Sequence, residues 1–213
     1  MRIELPWFNR AKGGDAAPQL SDEGALLTQG VGGVSYHAAR QRKVFTAPMA
    51  AAGGVLPIFS NTAQIFGLWN PAGSGVIANI LELAMSFVDT TGAAGGYVLA
   101  VVKNAGAALA TGGNISAFTD LTVYEALATG NAASGNKCRV SSAATVTAPV
   151  ILRHLGLNQL VLTAADATGL QWKNTSRFDG DVLVAPNTAL FVAGNIATLS
   201  KWACSVTWHE EPA

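Results

Sequence analysis

Apolar side chains recur at every second position through several stretches of this 213-residue chain. The clearest stretch lies near its end, where Trp202, Cys204, Val206 and Trp208 face one way and Lys201, Ser205, Thr207 and His209 the other. Alternation of this kind predicts a strand with one face against a core. Tyr97, Leu99 and Val101 interleave with Val98, Ala100 and Val102, the pattern of a strand buried on both faces. Lys137, Arg139 and Ser141 alternate with Cys138, Val140 and Ser142, and residues 182–184 and 188–193 read as a tight pair around Pro186-Asn187. The run 76–88 fits two periods. Ile77, Leu81, Leu83, Met85 and Phe87 suit a strand face, whereas Ile77, Ile80, Leu81, Ala84 and Val88 suit a helix. Its Gly-rich flanks and strand-like neighbours favour a strand. Phe118, Leu121, Tyr124 and Leu127 predict one short helix over 118–129.

Turn residues punctuate these runs: Asn70-Pro71-Ala72-Gly73-Ser74-Gly75, Gly95-Gly96, Gly112-Gly113-Asn114, Ser134-Gly135-Asn136 and Asp179-Gly180-Asp181. Many short strands with such turns predict an all-β fold, an antiparallel β-sandwich or jelly roll. An alternating βαβ pattern is missing, which argues against a doubly wound sheet. Residues 1–45 carry ten of the 26 charges and little periodic apolar content, and read as an extended N-terminal arm. Residues 46–213 read as the sandwich domain.

Composition sharpens the picture. Charged residues make up 12% of the chain, about half of the roughly 25% usual in soluble domains. Thirteen basic and thirteen acidic residues cancel, which argues against a nucleic-acid partner held by long-range attraction. A neutral, charge-poor surface favours association, and a closed ring, a trimer first, would bury the excess. The uncharged stretch Val44–Leu81 is broken by Pro48, Pro57, Pro71 and several glycines, so a membrane helix is not expected there. The first fifteen residues are charged and lack an apolar leader, pointing to synthesis and assembly in the cytoplasm.

Chemistry-bearing motifs are sparse. Asn70, Pro71, Gly73 and Gly75 form a Gly-rich segment without the Gly-Lys-Ser/Thr of a phosphate loop, and read as a structural turn. His37, His154 and His209 are isolated from one another, outside any metal-ligand spacing. Cys138 and Cys204 match no CxxC pattern and read as buried, reduced thiols. Asp179-Gly180-Asp181 offers too few oxygens for calcium and reads as a turn. Neither a cofactor nor a catalytic residue is expected. Among the tryptophans, Trp202 and Trp208 belong with Cys204 and Val206 to a core strand. Trp172, within Gln171-Trp172-Lys173-Asn174, is the candidate ligand platform.

Phe66-Gly67-Leu68-Trp69-Asn70-Pro71-Ala72-Gly73-Ser74-Gly75-Val76 resembles a turn-to-strand pattern of tailed-bacteriophage virion proteins. Asp179–Leu190 is similar to a hairpin of small jelly-roll proteins, with Asn187 where glycine is usual, and Val206–Pro212 is similar to their closing strand. The resemblance implies a non-enzymatic structural protein of the virion, decorating or cementing a phage capsid or forming part of a head or tail appendage. Its partners would be further copies of itself and other virion proteins such as the major capsid protein. Two other roles stay open at this point. A carbohydrate- or receptor-binding module of a tail or fibre would show an exposed aromatic row beside Asn, Asp or Gln. A glycan-cleaving enzyme would set two carboxylates across one cleft.

Overall fold

The computed structural model describes residues 19–20, 26–27, 38–39, 41–60, 63–88, 95–109, 113–126, 130–158, 173–178, 181–195 and 201–213. The chain divides into two units, Met1–Val34 and Ser35–Ala213. In the first, strands β1 (Gln19–Leu20) and β2 (Leu26–Leu27) pair antiparallel.

The second unit is an antiparallel β-sandwich. Its first sheet runs in the order β10 (Tyr124–Glu125), β3 (Val44–Pro48), β16 (Lys201–Pro212), β7 (Val76–Phe87), β13 (Lys173–Arg177). Short strands β14 (Leu183–Val184) and β4 (Gly54–Val55) pair with β7 and β16. The second sheet runs β12 (Val150–Asn158), β8 (Gly95–Lys103), β15 (Thr188–Gly194), β6 (Phe66–Asn70), β11 (Arg139–Val146), β5 (Ala63–Gln64), with β9 (Ile115–Asp120) on β11. Because β3 begins at Val44, the sheet takes in the last residues of the segment read as an arm.

The main core lies between the sheets. From the first come Phe45, Ile80, Leu83, Met85, Trp202 and Trp208, and from the second Phe66, Leu68, Tyr97, Leu99, Val140 and Leu190. Tyr97 meets Trp202 across the gap with ring centroids 4.9 Å apart, edge to face, an arrangement that adds to the apolar area both rings remove from water. A second cluster lies on the far face of the second sheet: Trp69, Val102, Phe191, Ala189 and Ala144, covered by Ala105, Ile115 and Phe118. The central strands β6, β8 and β15 are therefore apolar on both faces, as continuous rather than alternating hydrophobicity requires.

Three expectations are corrected by this arrangement. The helix expected over 118–129 is replaced by the end of β9 and by β10, with 127–129 outside the described residues. Of the residues whose spacing suggests it, Phe118 lies on β9, Leu121 in the link 121–123 and Tyr124 on β10, so a spacing of three that reads as helical spans two strands. The strand 76–88 forms, but Ile77 and Leu81 do not share the buried face with Leu83 and Met85. Thr207 pairs with Glu82 and Trp208 with Ile80, so Leu81 is a bulge and the alternation changes phase, burying Ala78 and Ile80 before it and Leu83 and Met85 after it. Finally, 182–184 and 188–193 are not partners in one hairpin. β14 pairs with β7, while β15 pairs with β6 and β8, so Pro186-Asn187 carries the chain from one sheet to the other. Asn187 holds φ at 65° there and its Oδ1 accepts the Gly106 N–H at 2.8 Å.

Candidate functional site

The most unusual surface feature among the described residues is β12, which ends the strand order of the second sheet there. Val150, Ile151 and Leu152 follow one another and are 54%, 40% and 53% exposed. Consecutive exposure on both faces of a strand means that neither sheet face of β12 is covered at this end by the described residues. The pairing with β8 is broken by bulges: Ile151 is matched to Ala100 and Arg153 to Leu99, leaving Leu152 without a ladder partner. Edge strands of soluble proteins are commonly guarded by charge at such places. Here the guard is next door. The Arg153 guanidinium lies 3.0 Å from Asp181 and 5.7 Å from the Phe178 ring centroid, closing the lip of the core rather than shielding the triplet. His154 follows, also exposed.

A second polar arrangement is buried. Glu210 continues the inward face of β16 beyond Trp208, and is 6% exposed. Its Oε1 accepts the Cys138 N–H at 2.9 Å and the Trp208 indole N–H at 3.1 Å, and its Oε2 accepts the Lys137 N–H at 2.9 Å. The carboxylate thus ties the last strand of one sheet to the segment entering β11 in the other. Burial, and then the charge and hydrogen bond of Glu210, push the Cys138 thiol up from its ordinary value. Burial alone pushes Cys204 up to about 12. Both thiols are free, and held in the protonated form they are poor nucleophiles.

A third cluster surrounds Arg139, whose guanidinium stands 4.9 Å from the Trp69 ring centroid and 5.1 Å from that of Phe118 while its Nε donates to Asp120 Oδ1 at 2.8 Å. Cation–π contact and ion pair together pin β9 over the second apolar cluster.

The other sequence candidates occupy structural places. Asn70 ends β6 fully buried, donating from Nδ2 to the carbonyls of Val76 at 2.8 Å and Val184 at 2.9 Å. Gly73 and Gly75, with φ of 77° and 73°, complete the turn that follows Pro71. Trp202, Cys204, Val206 and Trp208 are all buried on β16. Trp172 lies outside the described residues, as do Asp179, Gly180 and His37. Other described acids stand beside basic side chains: Glu82 forms an ion pair with Arg177 at 3.5 Å and Glu125 with Arg42 at 3.7 Å, while Glu211 Oε1 lies 3.0 Å from His209 Nδ1. Among the described residues, no three of His, Cys, Asp and Glu converge as a metal site would need, and no helix is long and apolar enough to cross a membrane.

Sequence reasoning passed over both the β12 triplet and Glu210. A run of three apolar residues does not reveal that its strand stands at an edge. Glu210 did carry a signal, since it extends the even-numbered series of 202 to 208 by one step.

No known family model, curated protein or solved structure matches this chain.

Proposed function

We propose that this chain is a non-enzymatic structural protein of a phage virion, which decorates or cements the capsid, or builds a head or tail appendage, as a homo-oligomer. The observation that carries the reading is the exposed apolar run Val150–Leu152 on an edge strand of a chain with zero formal net charge. Exposed apolar edges favour association in water, and neutral copies do not repel one another. The virion part of the reading draws on the resemblance of Phe66–Val76 and Val206–Pro212 to phage virion proteins. Its partners would be further copies and other virion proteins such as the major capsid protein, assembled in the host cytoplasm. Light scattering of the purified full chain, together with mass spectrometry and electron microscopy of purified particles from the same source, tests it. An oligomer in solution and this chain in the particles support the reading. A stable monomer at micromolar concentration that is missing from the particles overturns it.

A further inference from the structure

We infer that the interior of the sandwich beside Phe178 is a binding site for a fatty carboxylate, whose hydrocarbon chain lies between the sheets and whose carboxylate is held at the mouth by Arg153. A cavity of about 10 Å³ lies between Phe66, Leu99 and Val192 of one sheet and Ile80, Leu83 and Val206 of the other. None of the side chains around it is polar. Water would find no side-chain partner there, whereas a hydrocarbon supplies the contacts that the lining atoms lack. The Phe178 ring completes the lining. It stands just past β13, which ends the described strand order of the first sheet, and it meets Arg153 of β12, which ends that of the second. The ring thus closes the side of the sandwich between these two strands. Its backbone is fixed, with the N–H donating to the Leu81 carbonyl at 3.1 Å and the carbonyl accepting the Asp181 N–H at 2.8 Å. The ring therefore opens by turning about its own side-chain bonds. Outside it stands the Arg153 guanidinium, 5.7 Å from the ring centroid and 3.0 Å from Asp181, with the two side chains 44% and 56% exposed. An ion pair so open to water holds little, and the guanidinium can exchange one carboxylate for another in the same forked geometry. The cavity alone has room for one small group, so a chain enters as the Phe178 ring swings out and takes the place the ring leaves. Cavity, ring position and guanidinium follow one another, so a chain that fills the first two sets an acid at the third.

The test is calorimetric titration of the full chain with hexanoate, hexanol and hexylammonium, for the wild type, Arg153→Ala and Phe178→Leu. The wild type is expected to bind hexanoate saturably, hexanol more weakly and hexylammonium not at all. Arg153→Ala should lose the preference for hexanoate over hexanol, because the alkyl chain keeps its place while the charged partner is gone. Phe178→Leu should bind hexanoate more tightly, by roughly tenfold, since a smaller plug leaves the open state more populated. Far-UV circular dichroism checks that each variant is folded. If Phe178→Leu does not fold, Arg153→Ala, at the half-exposed mouth, decides alone. A wild type without saturable hexanoate binding overturns the site. Hexylammonium binding equal to that of hexanoate, or hexanoate binding that Arg153→Ala leaves unchanged, overturns it as well, because the ligand then binds elsewhere or without the guanidinium.

Discussion

The Glu210 carboxylate accepts the indole N–H of Trp208, its neighbour on the inward face of β16, at 3.1 Å. The same oxygen takes the backbone N–H of Cys138 from the opposite sheet at 2.9 Å. An acid at the edge of the core is thereby made into a fastener between sheets, since each buried donor would otherwise stand without an acceptor. Glu210→Ala is expected to destabilise the protein by about 2–4 kcal/mol, the order of magnitude for orphaning two buried N–H groups. Glu210→Gln keeps a carbonyl oxygen for those two donors but turns its amide toward the Lys137 N–H, so its cost should fall between wild type and alanine. Urea denaturation of the three proteins checks the order. Equal stability of Glu210→Ala and wild type would remove the fastener.

Trp208 itself pairs in register with Phe45, ring centroids 5.8 Å apart, and has no exposed surface. Truncation to alanine is expected to cost about 3–5 kcal/mol through lost transfer energy and the remaining cavity. Ser205, on the outward face of the same strand, is only half-buried, and Ser205→Thr should stay within about 0.5 kcal/mol. Thermal melts of both variants give the contrast. A Trp208→Ala protein that melts like wild type would mean that the closing strand does not hold the sandwich.

How far the sequence could be read follows from these two faces. A strand that keeps one phase throughout, such as β16, declares its buried residues by counting in twos, and the all-β class follows from enough such runs and turns. A bulge erases that register. Leu81 shifts the phase of β7, and counting from Ile77 then puts the wrong residues in the core. Residues 118–129 show the opposite failure: Phe118 on β9 and Tyr124 on β10 belong to separate strands, yet their spacing with Leu121 imitates a helix. Edge position has no periodic signature, so the Val150–Leu152 triplet was invisible until the sheet order placed β12 outermost. The crossing at Pro186-Asn187 was hidden for a related reason, because a turn residue announces a turn without saying which sheet receives the next strand.

Gly67 offers a sharp packing test. It lies opposite Phe191 on β15, and a methyl group there would overlap the Phe191 ring and meet the Leu190 carbonyl. Phe191 is fully buried in the second cluster beside Trp69, so its ring has little room to withdraw. Gly67→Ala is therefore expected to destabilise by about 1–3 kcal/mol, the usual cost of overpacking. The denaturation midpoint should drop with little change in slope, since the fold stays the same. A gain in stability would mean that the ring moves freely.

The two thiols predict how stability depends on alkaline pH. Burial raises Cys204 from an ordinary value of 9.0 to about 12, and Cys138, facing Glu210, is raised as well. Below pH 9 a thiol is protonated in both folded and unfolded chains, and pH has no purchase on stability through it. Above 9 the unfolded chain releases the proton while the folded one keeps it, so the unfolded state is favoured increasingly as pH rises toward 12. Stability should thus be flat in this respect at neutral pH and fall through the window from 9 to 12. Lysines and tyrosines also titrate there, so the measurement is a difference: the urea midpoint of wild type against Cys204→Ala at several pH values. The variant loses some packing at every pH, but its midpoint should decline less steeply in that window. Labelling gives an independent reading, since a buried protonated thiol should react with a thiol reagent only through unfolding. Rapid labelling of both thiols in the folded protein at neutral pH, with no accompanying loss of structure, would contradict the buried placement of Cys138 and Cys204.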